Sequence, residues 1–245
     1  MSARVCFAVT TALVLALSAA LVVAAGPITL TTTDGVKLAG NYLDSGKPDS
    51  KGLILLHMMG GTWQDWGPLA EPARQRGYCS VAVTLRGHGK SVWTTEGRNL
   101  NRRNFSNAQF AAMINDVEAV YQYLIAQENV DKKRIAIIGA SIGANLAVKY
   151  AAEHPDRIRG VVLLSPGLRY RGIETKPAVK AFGGQMLFYA GSGDEYSARS
   201  VAALGNLAGD RGAVRYYPGG EHGTRLFAKH PEMIDKIIKW LNAYI

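Results

Sequence analysis

The sequence is poor in the residues on which disulfide frameworks and metal sites depend. Only two cysteines, Cys6 and Cys79, occur among its 245 residues. No histidine or cysteine lies at a spacing typical of a metal site. A disulfide-stapled fold is therefore excluded, and neither a metal nor a cofactor is predicted. Cys79 begins an apolar segment, which favours a small buried side chain over a reactive thiol.

The interleaved basic and aromatic residues of a nucleic-acid surface are also missing. The formal net charge is +9 at pH 7, but the basic residues are dispersed, with one local group at Arg98, Arg102 and Arg103. This distribution favours solubility or attraction to anionic surfaces, and no nucleic-acid partner is predicted. No internal repeat or linker divides the chain beyond residue 25.

Residues 1–25 differ from the rest of the chain. Arg4 is the only charged residue before Asp34, and an apolar run ends in Val23-Ala24-Ala25. A basic start, an apolar centre and small residues at the end predict a signal peptide cleaved after Ala25. An uncleaved membrane anchor is the alternative, since the run is long enough to span a bilayer. Both readings predict export, periplasmic or secreted, with residues 26–245 as one domain.

Short apolar segments alternate with helical patterns along that domain. A hairpin is predicted over 28–42, with its turn at Asp34-Gly35. Buried strands are predicted at 53–56, 80–85, 135–138, 161–164, 186–189 and 214–217. The best-defined helix carries one apolar face, formed by Phe110, Ile114, Val117, Tyr121 and Leu124. The alternation predicts an α/β fold in which helices cover both faces of a mostly parallel central sheet, after an N-terminal antiparallel hairpin.

Gly139-Ala140-Ser141-Ile142-Gly143 is the segment around which a chemical function can be built. It follows the apolar run 135–138 and precedes a helical pattern that continues to Glu153. A serine between two glycines at a strand-to-helix junction is typical of a nucleophile elbow. The tight turn would raise the Ser141 hydroxyl above the sheet and direct the first backbone N–H groups of the helix into the same space.

A serine nucleophile needs a base, and the base needs an orienting acid. Among the five histidines, His222 directly follows the last predicted strand, where ligands gather in open α/β sheets. Asp194 leaves the preceding strand and is the predicted acid, with Glu195 and Asp210 as rivals. The other histidines are predicted to have structural roles: His57 and His88 in tight turns after strands, and His154 and His230 facing solvent before prolines.

Together these segments resemble an α/β-hydrolase of the serine esterase type over essentially all of the domain. The likeness rests on His57-Met58-Met59-Gly60-Gly61, Arg86-Gly87-His88-Gly89, the elbow, and Gly220-Glu221-His222-Gly223. The order Ser141, Asp194, His222 is the chain order of that superfamily's triad. The resemblance implies an oxyanion hole formed by the backbone N–H groups of Met59 and Ile142, with Met58 as the alternative donor.

The sequence departs from that pattern in three places. Met58 stands where a glycine commonly follows the histidine of the oxyanion turn, and this changes the shape of the site more than its chemistry. Thr84-Leu85 replaces an aspartate often found before the Arg-Gly-His-Gly loop, which removes the expected support for a salt bridge there. Only Ser165 to Gln185 separates two strands between which many relatives insert a helical cap. The cleft is therefore predicted to be open and shallow.

Four side chains are predicted as walls of that cleft: Met58, Met59, Trp63 and Tyr170. Packing at the start of the first helix is the alternative role for Trp63, because buried aromatic residues mostly serve packing.

The leading hypothesis is an exported serine hydrolase that cleaves small-molecule carboxylic esters through an acyl-enzyme. Peptidase, thioesterase and lactone hydrolase activities on the same triad are the enzymatic alternatives, and rates on the four substrate types would separate them. A non-catalytic envelope protein that binds a ligand on a hydrolase fold is the alternative from another class. Labelling by a fluorophosphonate would distinguish it from an enzyme.

Overall fold

A computed structural model describes residues 26–245, so the predicted signal peptide, residues 1–25, lies outside the described residues. The strands are β1 Gly26–Thr31, β2 Val36–Leu43, β3 Ser50–Leu56, β4 Tyr78–Val83, β5 Trp93–Thr94, β6 Val130–Ala140, β7 Gly160–Leu164, β8 Arg169–Tyr170, β9 Ile173–Glu174, β10 Gln185–Gly191 and β11 Gly212–Tyr217. The helices are α1 Gly67–Gln75, α2 Asn107–Ala111, α3 Ile114–Ile125, α4 Ile142–Glu153, α5 Lys176–Ala181, α6 Glu195–Ala208, α7 Leu226–Lys229 and α8 Glu232–Tyr244. None of the helices between residues 26 and 245 is long and apolar enough to cross a membrane.

The main sheet has the strand order β1-β2-β4-β3-β6-β7-β10-β11, with β5 paired to β2. The β1–β2 and β2–β4 pairs are antiparallel, and the pairs from β4 to β11 are parallel. The predicted N-terminal hairpin and mostly parallel sheet are confirmed. Strand β4 lies on one side of β3, and β6 lies on the other. The strand order therefore reverses at β3, and the carboxyl ends of β3 and β6 bound the crevice where α/β proteins bind ligands.

Helices cover both faces of this sheet, as predicted. Strand β3 shows why: Leu53 and Leu55 point to one face while Ile54 and Leu56 point to the other, and all four are fully buried. Helices α2 to α6 pack on the Ile54 face, and α1, α7 and α8 pack on the Leu53 face. Because the strands are apolar on both sides, the sheet is the common core of the two layers.

One predicted helix is divided. The apolar face that begins at Phe110 belongs to two helices, α2 and α3, separated by a turn at Ala112 and Met113. Neither glycine nor proline marks this break. At the turn, the N–H of Asp116 bonds to the Met113 carbonyl at 3.0 Å. This break turns the start of α3 so that Asp116 faces the loop after β4.

That loop contains a salt bridge which the sequence did not lead us to expect. Arg86 bonds through Nε to Asp116 at 2.7 Å and through Nη1 to Asp34 at 2.6 Å. The Arg86 N–H adds a bond of 2.8 Å to the Asp116 carboxylate. The aspartate absent at Thr84-Leu85 is thus replaced by two carboxylates distant in sequence, one from the hairpin turn and one from α3. The expectation of a missing salt bridge was wrong.

Candidate active site

Ser141 lies at a strained turn between β6 and α4. Its backbone adopts φ 54° and ψ −119°, a left-handed conformation that costs about 1 to 3 kcal/mol in a non-glycine residue. A Cβ at Gly139 would lie 2.2 Å from the Gly143 carbonyl oxygen, and a Cβ at Gly143 would lie 2.3 Å from that of Leu56. Both flanking residues therefore have to be glycine. The turn has the shape that the sequence predicted.

The predicted oxyanion turn is a β-turn at the end of β3. Gly61 N–H donates to the Met58 carbonyl at 2.9 Å, and Gly60 takes φ 83° at the third position. Met59 is therefore held in the centre of the turn. The close approach of Gly143 to the end of β3 brings the first turn of α4 against this segment. The N–H of Ile142 has no acceptor within its own helix, as for any first helical residue. The assignment of Met59 and Ile142 as oxyanion donors stays a prediction.

His57 fixes the position of that turn from below. Its Nε2 accepts a hydrogen bond from the Leu85 N–H at 2.9 Å, so its Nδ1 carries the proton and donates to the Met58 carbonyl at 2.6 Å. The ring is fully buried, and burial lowers its pKa to about 3. The neighbouring His88 ring, 4.9 Å away between centroids, also has its pKa lowered by burial, to about 4. Both histidines are neutral and structural, as predicted.

Asp194 and His222 meet because the loops after β10 and β11 bond to each other. Gly193 N–H donates to the Gly219 carbonyl at 2.7 Å. A Cβ at Gly191 would lie 2.7 Å from the same oxygen, so the two loops approach as closely as glycine allows. As a result, His222 Nδ1 lies 2.6 Å from Asp194 Oδ2. The His222 side chain is 31% exposed, and its Nε2 makes no hydrogen bond within residues 26–245.

The two rival acids lie elsewhere. Glu195 points away, with its side chain 81% exposed and 3.4 Å from Arg199. Asp210 lies beyond the far end of α6, in the short helix Gly209–Arg211. Asp194 also accepts a bond from the Ser197 N–H at 3.4 Å and so caps the N-terminus of α6. The carboxylate beside the imidazole is therefore that of Asp194.

The predicted cleft walls divide into two groups. Met58 is close to the site, since a Cβ at Gly223 would lie 3.0 Å from its Sδ. Tyr170 is also close, with its ring centroid 6.4 Å from that of His222 and its ring edge-on to it. Trp63 is half-buried and packs on the core of the α1 face, and Met59 packs on the core of the opposite face. Met58 and Tyr170 are thus the predicted walls that contact the candidate catalytic loops.

Three further residues support the site, and the sequence reasoning missed them. Ser165, directly after β7, takes φ 49° and accepts a bond of 2.9 Å from Gly223 N–H, which tethers the His222 loop. Asn145, buried on α4, bonds to the backbone of both Gly167 and Ile173. A polar residue within the apolar run 144–148 was the available signal. Ser197 Oγ lies 3.4 Å from His222 Nδ1.

The loop that carries Arg98, Arg102 and Arg103 contributes one side chain beside the oxyanion turn. Arg102 Nη2 would lie 3.3 Å from a Cβ at Gly60, and its Nε is buried without a hydrogen-bond partner in the described part of the chain. Arg98, by contrast, is exposed and lies 3.3 Å from Glu96. One positive charge is therefore placed next to the turn that the sequence predicts as an oxyanion hole.

Residues 47–187, more than half of the chain, match the family model described as serine aminopeptidase, S33. The chain belongs to this family of α/β-hydrolases. The family match runs from the segment before β3 to the start of β10, and so includes the oxyanion turn and the elbow.

Two curated relatives show how broad the similarity is. A putative 2-succinyl-6-hydroxy-2,4-cyclohexadiene-1-carboxylate synthase of Bacillus subtilis is 27% identical over 149 residues, which is 60% of this chain and 48% of that protein. A probable proline iminopeptidase of Leptolyngbya boryana is 29% identical over 124 residues, or 50% of this chain and 33% of that protein. The chain thus matches half or less of the length of these relatives.

Solved structures resemble the whole described domain. An esterase of Pyrococcus furiosus superposes with a TM-score of 0.73 at 20% identity, covering 90% of this chain and 91% of that one. An esterase of a Rhodococcus species has a TM-score of 0.71 at 16% identity, over 89% and 98% of the two chains. Est1E of Butyrivibrio proteoclasticus, solved with ferulic acid, has a TM-score of 0.71 at 17% identity over 88% and 98%. At this identity the likeness shows the fold.

Proposed function

We propose that this hydrolase cleaves carboxylic esters of small molecules through an acyl-enzyme. Ser141 attacks the ester carbonyl, His222 takes the serine proton and passes it to the departing alcohol, and Asp194 orients the imidazole. The N–H groups of Met59 and Ile142 hold the oxyanion. The 2.6 Å contact between Asp194 and His222, made by the loops after β10 and β11, is the observation that carries the proposal.

The proposed acyl transfer follows from the state of each group. His222 has Nδ1 committed to Asp194, which leaves Nε2 to act on a proton at Ser141. The strained backbone of Ser141 keeps its hydroxyl at the N-terminus of α4, where backbone N–H groups favour negative charge. Water then attacks the acyl-enzyme, and the same histidine serves as base a second time.

An aminopeptidase reaction is the second candidate, and the family model favours it. Such an enzyme must pair the substrate's α-ammonium group with a carboxylate. Asp194 is already bonded to His222, and Glu195 extends into solvent beside Arg199. Asp65, which lies beside the oxyanion turn, accepts a bond from the Thr62 N–H. Glu221, directly before His222, is the carboxylate left for such a pairing. Arg102 adds positive charge beside the oxyanion turn. This positive charge supports an ester without a free amino group over an aminoacyl substrate, while Glu221 keeps the aminopeptidase as the second candidate.

We further propose that the protein is exported by the segment 1–25. Comparing the mass of the protein purified from the producing cell with that of the full chain tests this. A mature N-terminus at Gly26 is expected, and an intact Met1 on protein recovered from the cytoplasm would contradict it.

The Ser141→Ala variant tests the proposed function. Loss of turnover of p-nitrophenyl acetate by about a millionfold is expected if the three residues act as a unit. Ser192→Ala, which removes an exposed hydroxyl beyond β10, is the matched control and should keep parental kcat/KM. The parent should also react with a fluorophosphonate at Ser141. A Ser141→Ala variant within tenfold of the parent would exclude the assignment, and faster turnover of prolyl p-nitroanilide than of esters would favour the aminopeptidase.

A further inference from the structure

Tyr170 lies beside His222, the group that moves the proton in the proposed reaction. Its hydroxyl lies 3.4 Å from Ser197 Oγ, which lies 3.4 Å from His222 Nδ1. Its ring lies edge-on to that of His222, with 6.4 Å between the ring centroids. Tyr170 therefore does more than line the cleft.

The hairpin that carries Tyr170 is held rigidly. Strands β8 and β9 are joined by Arg171 and Gly172, with φ 49° and 85°, as in the tightest two-residue hairpin turns. Asn145, one turn after the elbow, accepts a bond from Gly167 N–H at 3.0 Å and donates to the Ile173 carbonyl at 2.9 Å. The position of Tyr170 is thus tied to the helix that begins at the nucleophile.

The ring of Tyr170 is also fixed from its side. A Cβ at Gly167 would lie 2.6 Å from Tyr170 Cε2 and 2.8 Å from Tyr196 Cε1, so both rings pack directly on a glycine. The Tyr196 hydroxyl donates to the Arg169 carbonyl at 3.0 Å and accepts from the Arg169 N–H at 3.1 Å. A donor placed in advance in this way does not have to be ordered during the reaction.

The phenol is a donor in the working enzyme. Burial raises its pKa against the opposing hydrogen bond with Ser197, and the negative charge of Asp194 raises it further. The group therefore carries its proton at neutral pH. A contact of 3.4 Å to Ser197 is a long hydrogen bond, so the hydroxyl can turn its hydrogen bond toward a better acceptor in a substrate complex.

The order of the strands in the sheet indicates which oxygen of the substrate would accept a hydrogen bond from Tyr170. The elbow follows β6, the oxyanion turn follows β3 on one side, and Tyr170 follows β7 on the other. In the tetrahedral intermediate, the oxyanion faces the turn after β3. The leaving oxygen must face His222, against whose ring Tyr170 lies.

We propose that Tyr170 is a catalytic residue whose hydroxyl donates a hydrogen bond to the leaving oxygen of the ester, an inference that rests on the proposed function. As the C–O bond breaks, its electron pair stays on that oxygen and the proton comes from His222 Nε2. Tyr170 keeps its own proton and stabilises the developing alkoxide. The donor matters most where the alcohol is a poor leaving group, so the substrates are esters of simple aliphatic alcohols.

The test is kcat/KM for p-nitrophenyl acetate, trifluoroethyl acetate and ethyl acetate with the parent, Tyr170→Phe and Tyr196→Phe. Tyr170→Phe should lose about tenfold to a hundredfold on ethyl acetate, as for a hydrogen bond to a charged group, and less than about threefold on p-nitrophenyl acetate. Tyr196→Phe, which releases the hairpin without removing the donor, should lower all three rates by one factor. Fluorophosphonate labelling should proceed at a near-parental rate in Tyr170→Phe, because fluoride leaves without help.

The outcomes separate the two levels of the proposal. If the parent hydrolyses the esters and Tyr170→Phe lowers all three rates by a common factor, or none, the role of Tyr170 is excluded while the esterase proposal stands. If the parent neither hydrolyses any ester nor reacts with the fluorophosphonate, both are excluded.

Discussion

Two clusters of histidine and aspartate lie at the same edge of the sheet, and they differ in their access to solvent. The sealed cluster consists of His57, His88, Arg86 and Asp116, and each of these residues is at most 5% exposed. The open cluster consists of Ser141, Tyr170, Asp194 and His222, where the His222 side chain is 31% exposed. Both clusters contain a carboxylate within 2.7 Å of a cationic or imidazole nitrogen.

The hydrogen-bond partners explain why the two clusters behave differently. In His57, both ring nitrogens are taken up by the backbone, at Met58 and Leu85, so the ring cannot exchange a proton with a substrate. In His222, only Nδ1 is occupied, and its partner is a carboxylate. Similar residue types therefore serve a structural purpose on one side and are available for chemistry on the other. Comparing activity with stability in variants of each cluster separates these roles.

Among the variants that compare the two clusters, Asp194→Asn should have the largest effect on activity. When the asparagine amide donates to His222 Nδ1, the imidazole proton lies on Nε2, and Nε2 can no longer accept the proton of Ser141. The kcat/KM for p-nitrophenyl acetate should therefore fall by about 10⁴-fold. The free energy of unfolding should change by only a few tenths of a kcal/mol, because asparagine caps a helix about as well as aspartate. Urea unfolding and ester kinetics on the same preparation measure both.

Glu195→Gln is the matched control for that change. Its carboxylate is adjacent in sequence but exposed beside Arg199, so activity within about threefold of the parent is expected for an exposed pair of this kind. Equal losses in both variants would mean that Asp194 acts only through general electrostatics.

Asp116→Asn should give the opposite profile. It removes one of the two carboxylates bonded to buried Arg86, which keeps its pair with Asp34. The cost should therefore be about 1.5 to 3 kcal/mol, as for a hydrogen bond to a charged group, and below the cost of about 3 to 5 kcal/mol for leaving a buried charge unpaired. The folded fraction should retain ester turnover within a few-fold of the parent. Asp235→Asn, at the exposed pair with Arg76, is the control and should cost less than about 1 kcal/mol. Loss of activity in a stable Asp116→Asn protein would show that the sealed cluster takes part in catalysis.

The elbow was predictable because its requirements are local. A Cβ at residue 139 or 143 would lie within 2.5 Å of a backbone oxygen, so the pattern in the sequence is itself the geometric constraint. The hairpin turn at Asp34-Gly35 was predictable for a similar reason, since Gly35 takes φ 78°. The identity of the buried strands followed from their continuous apolar character.

The contacts that complete the site were not predictable, because they join distant segments. Arg86 reaches Asp116 only because α2 and α3 are separated at Ala112–Met113, where no glycine or proline marks a break. Asn145 positions Tyr170 through a hairpin more than twenty residues further along, and a single sequence does not record such pairing. His230 was also misjudged: it packs against Tyr217, with ring centroids 4.6 Å apart and the rings tilted by 33°, and its side chain is only 17% exposed.

The buried histidines of the sealed cluster should lower the free energy of unfolding in acid. An unfolded histidine takes up a proton near pH 6.5, whereas His88 resists it until about pH 4 because burial lowers its pKa. Below pH 6.5 the unfolded state therefore binds more protons, so stability that is fully present above pH 6.5 is lost as the pH falls toward 4. His57, whose pKa is lowered to about 3, acts in the same direction. Asp116, whose pKa burial raises to about 6, acts in the opposite direction.

His88→Asn isolates one of these contributions, because the others are common to parent and variant. Asparagine can still donate to the Arg86 carbonyl that His88 Nδ1 contacts at 3.0 Å. Between pH 6.5 and about pH 5, the variant should lose about 1.5 kcal/mol less of its free energy of unfolding than the parent does, from about 1.4 kcal/mol per pKa unit. Urea unfolding at the two pH values measures this difference. Equal losses would mean that His88 is protonated as readily in the folded protein as in the unfolded chain, and the distinction between a sealed and an open cluster would no longer hold for this residue.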